Sequence, residues 1–157
     1  VLSLSVSDNI GLLNLEKISW LGYVVRRKLR KIVDQGIEWL NIKTPSGREI
    51  VQNLSGGNQQ KVVLAKWLSI RPRVLLLDDP TRGIDVGSTA EIHNLLNDLA
   101  REGHAVLLIS SELPELLAMS DRLLVMYKGR IVDELMRREA TEERVMALMT
   151  GAATGAA

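Results

Sequence analysis

Apolar residues recur along this chain with two different periods. Val25, Leu29, Ile32, Val33, Gly36, Ile37 and Leu40 fall at helical spacing, which predicts a helix from about 24 to 40. The rest of residues 1–52 reads as helical and irregular, with TPSG at 44–47 as a turn. A helix over 57–70 carries Val62, Val63, Leu64, Ala65, Trp67 and Leu68 almost all round and is expected to be buried. The helical period then gives way to unbroken apolar runs, VLLL at 74–77 and AVLLI at 105–109. Such runs predict strands buried on both faces, as in a parallel sheet. Between them lies a helix with Ile92, Leu95, Leu96 and Leu99 on one stripe, closed by Glu102-Gly103. A short helix at 113–119, a hairpin over 121–135 turning at Lys128-Gly129 and an amphipathic helix at 141–149 complete the pattern. Strands alternating with helices predict an α/β sheet, at least over 70–135.

Composition narrows the classes of function. The 157 residues suit one domain, and 46% hydrophobic with 25% charged residues is ordinary for a globular protein. Twenty basic residues against 19 acidic ones leave a net charge of +1, which points to no nucleic-acid partner. The basic run RRKLRK at 26–31 could bind phosphate, but the solvated face of its helix is the favoured reading. The apolar runs are too short to span a bilayer, so any membrane role is expected to be peripheral. Cysteine is absent, and His93 and His104 are too few and too badly spaced for a zinc site. VLSLSVSDNI lacks a signal-peptide pattern, and the simplest expectation is that the chain begins inside a longer protein. The tail at 151–157, GAATGAA, is expected to be disordered.

Three constellations bear chemistry. Leu54-Ser55-Gly56-Gly57 opens a helix, where free backbone N–H groups and the macrodipole form an anion site. The plainer alternative is a serine N-cap with glycine for the turn. VLLLDD delivers Asp78 to the carboxyl edge of a sheet, where it could hold Mg²⁺ beside phosphates, directly or through water. Asp79 could orient or deprotonate a water, against the alternative of a polar strand end. Gly83-Ile84-Asp85-Val86-Gly87 has the form of a nucleophile elbow. Pro80-Thr81-Arg82 separate it from its strand, however, and His104 starts a strand, so Asp85 as a helix N-cap is preferred.

Taken together, NLSGGNQQK, a helix, and a strand ending Asp78-Asp79-Pro80-Thr81 resemble the ATP-binding cassette (ABC) ATPases. The resemblance runs from about residue 5 to 135. It implies an α/β fold, the C-terminal part of a P-loop NTPase domain. A mostly parallel sheet flanked by helices would occupy 53–150, and a partial helical subdomain 1–52. In that family LSGG is the signature, and it faces a nucleotide gripped by an opposed cassette. The resemblance therefore implies that Leu54, Ser55, Gly56, Gly57 and Gln59 contact ATP in trans. Asp78 becomes the Mg²⁺ ligand, Asp79 the catalytic carboxylate, Ser111 the switch residue, and Gly83 and Asp85 the D-loop. NLSGGNQQK with DDPTRGIDVG, SSELPE and NIKTPS looks most like the second cassette of ribose- and galactose-type sugar importers. The implied partners are a second cassette (in the same chain or a dimer), membrane permease subunits and, indirectly, a periplasmic sugar-binding protein. The implied location is peripheral, on the cytoplasmic face of the plasma membrane.

No pair of the twelve glycines stands five residues apart, so the P-loop pattern G-x-x-x-x-G-K-[ST] does not occur in this sequence. The expectation is a C-terminal part of a cassette, with the isolated chain inactive. The family's usual residue at Asp79 is Glu, and a carboxylate set back by about 1.5 Å, one C–C bond, predicts slow hydrolysis. Ser111 stands where the family commonly has histidine, and it can donate one hydrogen bond without carrying charge. A soluble ABC ATPase outside transport and a non-enzymatic docking remnant stay open as alternatives.

Overall fold

The computed structural model describes residues 1–152. Their backbone divides into two compact units, one formed by Val1–Leu75 with Pro80–Val106, the other by Leu76–Asp79 with the chain from Leu107 onward.

The first unit is mainly helical. α1 (Val6–Gly11) is capped by Ser5, whose side chain accepts from the Asp8 N–H. α2 (Leu15–Ile18) leads into a two-residue antiparallel hairpin, β1 (Ser19–Trp20) and β2 (Tyr23–Val24). That hairpin lies in the stretch read from sequence as helical and irregular. Its turn residues, Leu21 and Gly22, both take positive φ, the combination that hairpin turns of this size favour. α3 (Arg26–Trp39) matches the predicted stripe, with Val33 buried and Gly36 facing Ile10 and Ala65. α4 (Gly56–Leu68) buries Val62, Leu64, Ala65 and Leu68 against α1 and α3. It is not buried all round. Val63 and Trp67 are exposed, and Lys66 stacks its ammonium over the Trp67 ring. A helix in contact with neighbours on one side only can bury only that arc. α5 (Val86–Arg101) buries Ile92, Leu96 and Leu99.

β3 (Val74–Asp78) and β4 (Ala105–Ile109) pair with each other. Bonds from Ala105 N–H to Arg73 O and from Asp79 N–H to Ile109 O give the slant of a parallel pair. The expectation of burial on both faces is corrected here: Leu75 is buried, but Leu76 is 73% and Ile109 55% exposed. A strand apolar on both faces needs a covering layer on each. Among the described residues, the face of Val74, Leu76, Leu107 and Ile109 has none.

In the second unit, α6 (Leu113–Met119) precedes a hairpin of β5 (Arg122–Tyr127) and β6 (Arg130–Met136). Lys128 and Gly129 make its turn with φ +45° and +76°, as a type I′ turn requires. α7 (Glu142–Met149) starts at Thr141, whose hydroxyl accepts from the Arg144 N–H. Leu117, Leu123, Val125, Leu135, Val145 and Leu148 form the core of this unit. Gly151, the first residue of the expected tail, is buried against Tyr127. Residues 153–157 of that tail lie outside the described residues.

No helix among the described residues is long and apolar enough to cross a membrane.

Candidate functional site

The first unit carries Leu54-Ser55-Gly56-Gly57, the expected signature. Ser55, at the N-cap of α4, makes no side-chain cap bond, although a capping serine was the plainer reading of the sequence. Its Oγ instead accepts from Asn58 Nδ2 at 2.8 Å. The first backbone N–H groups of α4 are thus not taken up by the residue placed to cap them, which leaves the helix dipole facing an open, donor-lined end. Gln59 Nε2 turns back to the carbonyls of Leu54 at 2.8 Å and Gln52 at 3.3 Å and so pins the loop that enters the helix.

The two glycines differ in their surroundings. A Cβ on Gly57 would lie 2.1 Å from Ser88 Oγ and 2.5 Å from Ser88 Cβ, so this glycine is required for α4 to meet the start of α5. A Cβ on Gly56 would meet only Gly83 O at 3.5 Å and Ile84 Cγ2 at 3.6 Å, ordinary contacts. Packing does not explain Gly56.

Gly83 and Asp85, expected from the resemblance to form a D-loop, stand beside these glycines. Gly83 takes φ +75°, a turn that favours glycine. Asp85 caps α5, its Oδ1 accepting from Ser88 N–H at 3.0 Å and its Oδ2 from Ser88 Oγ at 2.8 Å. Those bonds hold its carboxyl below the ordinary aspartate range. A polar cleft of about 210 Å³ is lined by Lys43, Ser55, Asn58, Asp85, Ser88 and Glu91, among others. Lys61, buried in α4, donates to Asn41 O at 3.1 Å and pairs with Glu91 of α5. The Lys61 hydrogen bond and charge hold Glu91 below the ordinary glutamate range. Sequence reasoning missed Asn58, Lys61, Ser88 and Glu91. A lysine in the buried arc of an amphipathic helix, and Asp-x-x-Ser opening another, were the available signals.

The second unit carries the carboxylates. Asp78 ends β3, exposed. Asp79 has φ +45° and bonds its Oδ1 to the Ser111 N–H at 2.7 Å, so the expected catalytic carboxylate and switch residue do meet, through the Ser111 backbone. No cluster of three or more His, Cys, Asp or Glu that could hold a metal occurs among the described residues. One exposed carboxylate fits Mg²⁺ when phosphate oxygens and waters supply the other ligands, as this cation commonly requires. His104 Nδ1 lies 2.7 Å from Pro72 O, a structural contact.

Ribose import ATP-binding protein RbsA of Bacillus licheniformis is 51% identical over 151 residues, 96% of this chain and 31% of its own length. RbsA of Bacillus subtilis is 50% identical, with 96% and 31% covered. The chain thus spans under a third of these curated relatives. An ATP-binding cassette solved as a dimer in a post-hydrolysis state with ADP and phosphate has the same fold, with a TM-score of 0.74 at 23% identity. The match covers 88% of this chain and 59% of that one. The family model described as ABC transporter matches residues 3–82, half of the chain, and this chain belongs to that family.

Proposed function

We propose that this chain is the signature-bearing part of the ATP-hydrolysing subunit of an importer for a ribose- or galactose-class sugar. The carrying observation is the uncapped start of α4, where Gly56 has room that the fold does not need. Backbone N–H groups there, with the Ser55 hydroxyl, would bind the terminal phosphate of ATP held by an opposed cassette, in the same longer chain or a second copy. The names of the relatives, ribose import ATP-binding proteins, support the sugar class. Residues 1–52 act as the helical subdomain and 53–150 as the core. The hairpin tip, with Trp20, Leu21 and Tyr23 each at least 70% exposed, supports docking of a membrane permease on the first unit. The subunit would sit peripherally on the cytoplasmic membrane face, with a periplasmic sugar-binding protein as an indirect partner.

Asp78 would hold Mg²⁺ in company with phosphate oxygens. When bound, that ion neutralises charge developing on the phosphates. Asp79, held at its Oδ1 by the Ser111 N–H, would be the carboxylate that orients the attacking water. Gly56→Ala in the full-length protein tests the reading. A methyl there meets only ordinary contacts, so the thermal midpoint should hold while the KM for ATP rises or turnover falls. Unchanged ATP kinetics would overturn it.

A further inference from the structure

The amide of Asn58 can be oriented in only one way. Its Oδ1 lies 2.8 Å from the backbone nitrogen of Lys43, a group that can only donate. The other end of the amide is therefore the NH₂, and it donates to Ser55 Oγ at 2.8 Å. A hydroxyl has one proton and two lone pairs. With a lone pair taken by Asn58, and no other partner for Ser55 among the described residues, its proton is left to be donated outward.

We propose that Asn58 is a positioning residue that makes Ser55 a dedicated hydrogen-bond donor to the phosphate, with the amide locked by the Lys43 N–H of the loop after α3. The inference rests on the signature reading above. It adds a chemical requirement: position 58 must donate to Ser55. An acceptor of the same size there would reverse the bond and draw the hydroxyl proton away from the ligand. It also ties the loop at 41–47 to the phosphate through one chain of three groups: Lys43 N–H, the Asn58 amide and the Ser55 hydroxyl.

Asn58→Asp is the near-isosteric test. The carboxylate keeps the bond from Lys43, but its other oxygen can only accept, so Ser55 must donate to it. The assay is ATP turnover of the full-length protein assembled with its partner cassette, with kcat and KM separated and folding checked by thermal melting. Loss of a hydrogen bond to a charged group predicts a KM about tenfold or more higher. In a Ser55→Ala background the same substitution should cost under about threefold, the part due to charge alone. Asn58→Ala, which releases Ser55 without reversing it, should cost less than Asn58→Asp. It should cost nothing further beside Ser55→Ala, and this cycle serves if the Asp variant does not fold. An equal effect of either substitution in both backgrounds would assign Asn58 to charge or loop packing and overturn the proposal. A Ser55→Ala variant with unchanged kinetics would overturn the signature reading as well, so the two failures are distinguishable.

Discussion

Gly57→Ala should loosen the junction between α4 and α5, and the cost can be read from the contacts. The new methyl would stand 2.1 Å from Ser88 Oγ and 2.5 Å from Ser88 Cβ, where carbon atoms pack at about 3.5–4 Å. The Ser88 hydroxyl cannot swing aside without leaving Asp85 Oδ2. Ser88 Cβ is fixed to the α5 backbone and cannot rotate away at all. One helix start must therefore move by on the order of 1 Å, and overpacking of this kind costs roughly 1–3 kcal/mol. The thermal midpoint of the full-length protein should fall, by less than the roughly 2–4 °C per kcal/mol of a domain of about 150–250 residues because the melting entropy grows with length. Melting of the full-length protein, followed by circular dichroism, measures it. Ser88→Gly removes both clashing atoms, so Gly57→Ala should cost clearly less in that background than alone. A Gly57→Ala protein as stable as its parent, or one that Ser88→Gly does not relieve, would refute the reasoning.

Three further outcomes are expected. Because Lys61 depresses the carboxyl of Glu91 in the folded state, the unfolded state binds more protons as pH falls below the ordinary glutamate value of about 4.3. The contribution of the pair is thus present above that value and lost as pH falls through the depressed one. Urea midpoints across this acid range should show a flatter dependence for Lys61→Met, and an unchanged slope would contradict it. Asp79→Glu advances the carboxylate by about 1.5 Å and should raise ATP turnover of the full-length protein; a fall would assign Asp79 instead to holding the Ser111 N–H. Gly151→Ala places a methyl 2.7 Å from Tyr127 Cζ at φ +77°, so it should lower the thermal midpoint by the equivalent of roughly 1–3 kcal/mol.

The elements and motifs were legible in the sequence wherever a local rule decides them. Spacing located α3, Lys128-Gly129 marked the β5–β6 turn, and Asp85 capped α5 as its place before that helix suggested. Burial was less legible, since apolarity records what a side chain would shed water to touch. It does not record whether a partner stands there: Leu76 and Trp67 are as apolar as Leu75 and Leu64 and still face outward. The hairpin at Ser19–Val24 went unread because two-residue strands carry no period.

Side-chain pairings were the least visible level. Ser55 looked like a cap or a ligand, and the sequence did not show that it gives up the cap bond for the Asn58 amide, whose direction is set by a backbone N–H fifteen residues earlier. The same holds for Asp79. Its type and its place after β3 suggested a carboxylate available to water, while its left-handed backbone and its bond to Ser111 give one oxygen a structural duty. Aspartate tolerates that backbone better than most residues, and its short side chain keeps the bond to the neighbouring strand end. The residue that shortens the expected catalytic reach is therefore also one suited to the local conformation. Asp79→Glu sets those two demands against each other at one position.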